Sequence, residues 1–177
     1  MLSAFMDKPK QPEPWLRGTL TDVPPLQRAI LHALEHAKED LERWCGDLSN
    51  EELFARPAGI APVAFHIRHI ARSLDRLLTY AERCALSSEQ IAKMKSELEP
   101  GGTREEVFAE LNQAIEVSAA RISSFSPETL AETRTVGRQQ MPTTVAGLLI
   151  HVADHTQRHV GQAITTAKVV KAARSRG

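Results

Sequence analysis

Four long segments of the sequence carry apolar residues at helical spacing. In the first of them, apolar side chains recur every three or four residues between Leu26 and Trp44. This period places them on one face of a helix, whereas a strand alternates every two residues. No stretch alternates for long enough to build a sheet, and no internal repeat is visible. The sequence therefore predicts an all-α chain, folded as a four-helix bundle.

Proline, glycine and capping residues indicate where each helix begins and ends. Proline suits the first turn of a helix, and Thr103 followed by Glu106 has the spacing of a capping box. The predicted long helices, in chain order, run from Pro24 to Gly46, from Pro62 to about Leu86 and from Thr103 to about Ile122. The fourth is capped by Pro142-Thr143-Thr144 and runs to about Ala172. A shorter helix is predicted from Ser87 to about Leu98.

The remaining segments divide the chain into an arm and one domain. Residues 1–23 are rich in proline and are predicted to form an extended N-terminal arm, laid over the domain through Trp15 and Leu16. Residues 24–177 are predicted to form the helical domain. Within it, residues 124–141 have little apolar pattern, and Arg134–Val136 is either a short strand or part of a loop.

Charge and hydropathy argue against several classes of partner. The chain has 22 Lys and Arg against 22 Asp and Glu, for a formal net charge of zero, and the basic stripe typical of a nucleic-acid binder is missing. No segment approaches the roughly 20 apolar residues that span a bilayer, and the N-terminus does not resemble a signal peptide. The two cysteines fit no zinc or redox spacing. We therefore expect a soluble, cytoplasmic protein with no nucleic-acid or membrane partner.

Three histidines at four-residue spacing carry most of the functional signal. His151, His155 and His159 fall on one side of the fourth long helix, because residues i and i+4 lie one turn apart. Two such imidazoles can bind one metal ion and leave positions for a third ligand and water. His151 and His159 are about 12 Å apart along the helix, too far to share an ion. The helical wheel turns His155 and His159 inward, which leaves His151 at the boundary.

The other four histidines form two further pairs. In the second long helix, His66 and His69 are three residues apart, and either can supply a third ligand, although the wheel places His66 nearer the apolar stripe. In the first long helix, His32 and His36 are four residues apart, but they lie off the apolar stripe among glutamates. We expect His32 and His36 to be solvated surface residues.

Two of these runs resemble the motifs of a known family. Pro62–Ala71 resembles the second-helix motif of the DinB/YfiT-like superfamily, and His155–Gln162 resembles its C-terminal helix motif. The likeness extends in order and spacing over residues 24 to about 170. It implies an up-down-down-up bundle, often a homodimer, with one divalent metal ion held by three histidines. Carried over by position, these are His69, His155 and His159.

The resemblance also implies a class of chemistry. The best-understood members look like metal-dependent transferases that use a low-molecular-weight thiol such as bacillithiol or mycothiol, and others have hydrolase-like roles. The reacting group would then be a water or thiol bound to the metal, and imidazole ligands suit zinc or nickel. The candidates for an additional ligand or a supporting role are His66, His151, Gln162 and Asp40, and for Gln162 and Asp40 a role in packing alone is an equal alternative. The alternatives are a metal-dependent hydrolase and a non-catalytic metal-binding scaffold, in which four protein ligands would close the site.

Overall fold

A computed structural model describes residues 11–174, so the first ten residues of the predicted arm lie outside the described range. Within that range the chain is mostly helical, and the only sheet has two strands, which confirms the predicted all-α class. The elements are α1 (Pro25–Cys45), α2 (Asn50–Phe54), α3 (Val63–Ala81), α4 (Ser88–Lys95), α5 (Arg104–Ser124), β1 (Thr133–Val136), β2 (Met141–Thr144) and α6 (Val145–Arg174).

Local signals in the sequence explain where several helices begin. Ser49, Ser87 and Thr103 cap α2, α4 and α5, and each forms a capping box with the residue three positions later. In such a box two backbone N–H groups that lack a helical partner are satisfied by side chains. Helix α1 instead begins at Pro25, where the missing N–H costs nothing.

The segment before α6 forms a hairpin rather than helix. Strands β1 and β2 pair antiparallel, with Thr133 opposite Thr144 and Val136 opposite Met141, so the alternative of a plain loop at 134–136 is wrong. Residues 142–144 belong to β2, and α6 begins at Val145. The hydroxyl of Thr144 nevertheless accepts a hydrogen bond from the Gly147 N–H at 3.0 Å, which is the geometry of a helix cap.

The four long helices α1, α3, α5 and α6 pack together, with α6 between α1 and α3. Hydrogen bonds between helices give their relative directions. Gln157 and Lys171 of α6 donate to the carbonyls of Ala33 and Trp44, so α1 and α6 run parallel. Contacts of His66 with His159 and of His69 with His155 show that α3 is antiparallel to α6. Arg72 bonds Glu110 and Arg121 bonds Glu82, so α3 and α5 run parallel.

The apolar faces of these helices form one continuous core. Helix α3 contributes most to it, because its apolar residues recur at helical spacing along its whole length. Removing such side chains from water stabilises the fold by about 1.5–3 kcal/mol each. The fully buried leucines and isoleucines are Leu34, Leu41, Leu48, Leu53, Ile67, Ile70, Leu74, Leu78, Leu111, Ile122 and Leu149. No helix within residues 11–174 combines the length and apolarity that crossing a bilayer requires.

The described part of the N-terminal arm is attached by polar contacts. The Arg17 guanidinium bonds the carboxylates of Glu35 and Glu39 at 2.6–2.9 Å, whereas Trp15 and Leu16 are 62% and 58% exposed. The predicted anchoring through Trp15 and Leu16 is therefore wrong. The hydroxyl of Thr19 lies 3.0 Å from His32 Nε2, and His32 is only 6% exposed. The expectation that His32 is solvated is also wrong, because the arm covers it.

Candidate metal centre

Three histidines from two helices meet at the interface of α3 and α6. His69 comes from α3, and His155 and His159 come from successive turns of α6. One ring nitrogen from each lies within 4.8 Å of the other two, and the Nε2 atoms of His69 and His155 are 3.2 Å apart. We refer to His69, His155 and His159 as the histidine cluster. Within residues 11–174, these three residues are the group of histidine, cysteine, aspartate or glutamate side chains whose ligand atoms lie close enough together to hold one metal ion.

The geometry of the cluster fits a metal ion bound by imidazole. Two nitrogens bonded at 2.0–2.1 Å to one tetrahedral zinc ion are about 3.3 Å apart, close to the 3.2 Å between His69 and His155. The imidazole ring centroids lie 4.3–4.9 Å from one another. All three residues are half-buried, so the ligand atoms are fixed by packing while one side of the cluster faces solvent.

Burial favours the neutral form of two imidazoles of the cluster, those of His155 and His159, and neutral imidazole is the form that binds metals. Burial, with a smaller effect of nearby His69, lowers the pKa of His155 to about 4 and that of His159 to about 3. Burial likewise lowers the pKa of the neighbouring His66 to about 4. Near neutral pH these rings therefore present lone pairs and carry no positive charge that would repel a cation.

A buried carboxylate orients the ring of His69. Glu97, only 5% exposed, has Oε2 at 2.6 Å from His69 Nδ1 and Oε1 at 2.7 Å from Nη1 of Arg76. Burial raises the pKa of Glu97, but the hydrogen bonds from His69 and Arg76 outweigh burial and hold this pKa below its usual value. The Glu97 carboxylate accepts a hydrogen bond from Nδ1 of His69, and Nε2 of the same ring faces His155. This is the support that metal-binding histidines commonly receive.

Three arginines of α3 hold the segment that carries Glu97. Arg68, Arg72 and Arg76 are spaced four residues apart on one side of the helix, and we call them the arginine row. Arg68 donates to the carbonyls of Glu99 and Gly101, and Arg72 donates to the carbonyl of Lys93 at 2.7 Å. Together with the ion pair of Arg76, these bonds fix residues 93–101 against α3. Glu97 is thereby placed beside His69.

His66 supports the other side of the cluster. Its Nδ1 lies 3.1 Å from Nδ1 of His159, so one of these two nitrogens donates a proton to the other. When His159 is the donor, its Nε2 is free to bind a metal. Phe65 packs its ring flat against His69, with centroids 5.3 Å apart, and edge-on against His66, at 5.1 Å. These contacts restrict rotation of the rings.

The remaining predicted residues lie outside the histidine cluster, and two of them contact one of its members. His151 contacts the ring of His155, with centroids 5.3 Å apart, but its side chain is 44% exposed and lies 3.5 Å from Asp154. Asp40 lies 3.4 Å from His36 on α1, and Gln162 is exposed. His66 is more buried than His69, as the helical wheel predicts, but it contacts His159 alone of the cluster residues on α6, whereas His69 contacts both His155 and His159. The assignment of His69, His155 and His159 as metal ligands stays a prediction.

Sequence reasoning did not find Glu97 or Arg76. Glu97 follows a short helix, and no pattern in the sequence distinguishes it from the glutamates that are exposed. Its burial depends on contacts with residues 21 and 28 positions earlier in the chain. The four-residue repeat of arginines on α3 was the one available signal, because arginines aligned on an amphipathic helix need partners from another segment.

Comparison with known proteins agrees with the resemblance in the sequence. The chain is similar in structure to a conserved protein of Enterococcus faecalis, with 17% sequence identity and a TM-score of 0.70 over 82% of this chain and 97% of that one. At that identity the likeness concerns the fold alone. No curated protein matched the chain. The sequence model of the DinB superfamily matches residues 33–163, a range that includes the whole histidine cluster. The chain therefore belongs to the DinB superfamily.

Proposed function

We propose that the protein is a divalent-metal-dependent enzyme that transfers a low-molecular-weight thiol to a small electrophilic molecule. The observation that carries the proposal is the histidine cluster, in which three imidazoles converge and Glu97 orients one of them. Three protein ligands are the number found in catalytic zinc sites, whereas structural sites have four. The half-buried cluster leaves one side of the proposed site open to substrate.

Each part of the site has a role in this proposal. His69, His155 and His159 would hold the ion, Glu97 and His66 would keep two of the rings in place, and the open side would admit thiol and substrate. A divalent ion held there supplies Lewis acidity, which lowers the pKa of a thiol or water that binds it. In the transfer, a carbon–sulfur bond forms, the bond to the leaving group breaks, and the thiol proton passes to solvent.

Metal analysis of the untagged protein is the first test. The wild-type protein, purified and then equilibrated with zinc or nickel, should retain about one equivalent of metal after dialysis. His155→Ala and His159→Ala should lose it. His36→Ala is the matched control, because His36 lies on α1 outside the cluster, and it should bind metal like the wild type. A wild-type protein that retains no metal would overturn the proposal.

A second assay separates the transferase from other activities. Metal-loaded protein is incubated with a low-molecular-weight thiol and a panel of electrophiles, and consumption of the thiol is compared with that in the His155→Ala variant. Metal-dependent loss of thiol with formation of a thioether supports the transferase. Metal-dependent cleavage without loss of thiol would show a hydrolase instead, and metal binding without turnover of any compound would show a scaffold.

The proposed setting is a cytoplasmic homodimer. The dimer rests on the resemblance to the family, and the cytoplasm rests on the composition of the chain. Light scattering of the purified protein tests the first point, since the monomer has a mass of 19.6 kDa and the dimer twice that.

A further inference from the structure

A second concave site lies at the other end of α3, away from the histidine cluster. An open cavity of about 850 Å³ is lined by the C-terminal end of α3, by α4 and by the β1–β2 hairpin. Its lining residue Tyr80 is eleven residues beyond His69, which is about 16 Å along the helix. The volume falls within the range of sites that bind drug-sized molecules. This cavity has no part in the proposed transferase reaction.

The charge of the lining is entirely positive. Arg83, Lys95, Arg134 and Arg138 line the cavity, and no aspartate or glutamate does. Within residues 11–174, the side chains of Arg83, Lys95 and Arg138 form no ion pair with a carboxylate. Because the whole chain has no net charge, this set of cations is a local excess. It produces a positive potential in a concave space, which attracts anions.

One of these cations is held rigidly. Arg134, only 9% exposed, donates Nε to the carbonyl of Ala81 at 2.6 Å and Nη1 to the carbonyl of Thr133 at 2.9 Å. Nη1 also lies 3.0 Å from the carboxylate of Glu132, which is not part of the lining. Nη2 makes no hydrogen bond in the described structure and is not fully buried. The guanidinium is thus fixed with a free donor, and such donors bind carboxylates and phosphates well.

Part of the lining is apolar. Leu86, Ile91 and Met94 form part of the wall, together with the ring of Tyr80. We propose that this cavity binds an organic anion whose carboxylate or phosphate head contacts the arginines and whose apolar body packs on these side chains. A small molecule fits this combination better than a nucleic acid does, because an extended polyanion needs a long basic track.

Cys84 provides a reporter for occupancy of the cavity. The chain has two cysteines; Cys84 is exposed and lines the cavity, whereas Cys45 is buried. Octanoate and octyl phosphate serve as anionic probes, and octan-1-ol is the uncharged probe of matched length. The rate at which iodoacetamide alkylates Cys84 is measured by mass spectrometry with each probe. A low-molecular-weight thiol under the same conditions corrects for direct effects of the probes on the reagent.

Octanoate or octyl phosphate should slow alkylation of Cys84 at least threefold. At the same concentration, octan-1-ol should have little effect on the rate. The double variant Lys95→Gln/Arg138→Gln should bind the anionic probe at least tenfold more weakly than the wild type does. The matched control is Arg28→Gln/Lys38→Gln, which removes the same charge from α1, outside this cavity, and should leave binding unchanged. Circular dichroism checks that both variants are folded. Equal protection by octanoate, octyl phosphate and octan-1-ol, no protection by any probe, or full protection in the Lys95→Gln/Arg138→Gln variant would each overturn the proposal.

Discussion

The Nε2 atoms of His69 and His155 lie 3.2 Å apart, although 86 residues separate them in the sequence. Two ring nitrogens at this distance either share one hydrogen atom or bind one metal ion, because two N–H groups that point at each other would repel. The position between them is therefore defined by the packing of α3 against α6. Several measurable properties follow from this relationship.

The first prediction is that zinc or nickel stabilises the wild-type protein. A ligand that binds only the folded state adds about 2.7 kcal/mol at a concentration one hundred times its Kd, so the midpoint of urea unfolding should rise with metal concentration. His69→Ala should abolish this rise, and His36→Ala should preserve it. Urea titrations followed by circular dichroism, with and without metal, provide the measurement. An equal rise in His69→Ala would place the metal elsewhere.

The second prediction concerns the carboxylate beside His69. Glu97→Gln removes the charge that accepts the His69 proton, and loss of such a partner commonly weakens metal binding by about 10–100-fold. Competition with a metal-binding dye measures the change. Glu99→Gln is the matched control, because only the backbone carbonyl of Glu99 contacts α3, and its affinity should equal that of the wild type. An unchanged affinity in Glu97→Gln would show that the carboxylate does not support the metal site.

The third prediction is that the metal-free protein loses stability as the pH falls from 7 to 5. The pKa values of His66, His155 and His159 are lowered from 6.5 to between about 3 and about 4 in the folded state. In this interval the unfolded chain binds protons at these residues and the folded chain does not, so the free energy of unfolding decreases with decreasing pH. Urea titrations at pH 7, 6 and 5 test this.

The variant His159→Gln removes one of the three groups and should show a shallower dependence on pH than the wild type. The window ends at pH 5 so that most carboxyl groups remain ionised throughout. A free energy of unfolding that does not change between pH 7 and pH 5 would contradict the burial of these imidazoles.

The fourth prediction compares two glycines of α6. A Cβ at Gly147 would lie 2.6 Å from the hydroxyl oxygen of Thr143, whereas a Cβ at Gly161 would meet nothing within 4 Å. Gly161→Ala should stabilise the protein by about 0.5–1 kcal/mol through helix propensity. Gly147→Ala should destabilise it by about 1 kcal/mol, because overpacking outweighs that gain. Chemical denaturation of both variants measures the difference, and a stabilised Gly147→Ala would show that the hairpin moves aside.

The long helices were predictable because their signals are local. The capping residue Thr103 and the Pro24–Pro25 pair specify helix starts within a few neighbouring positions. The four-residue spacing of His155 and His159 likewise guarantees that they share a face of α6, whatever the rest of the fold does. At the start of α6, residues 142–144 precede the helix as the sequence predicts, although the strand that they form there was not predicted.

Contacts between distant segments were not predictable from these signals. Periodicity ranked His66 as the more buried histidine of α3, and this is correct, but burial does not tell which ring lies close to both His155 and His159. Similarly, nothing near His32 indicates that Thr19 covers it. Glu97 is the clearest example, since its place beside His69 depends on the fold of residues 93–101. Such positions are fixed by tertiary packing, which a helical wheel does not contain.

The arginine row links the proposed metal site to a local opening motion. Residues 93–101 are held on α3 largely by side-chain bonds at the surface, and segments of this kind detach far more often than a protein unfolds globally. Each detachment would carry Glu97 away from His69 and leave the ring free to turn. If the proposed metal site holds an ion, we expect that ion to leave faster while this segment is detached. Substitutions in the arginine row would change the rate of metal release without touching a ligand.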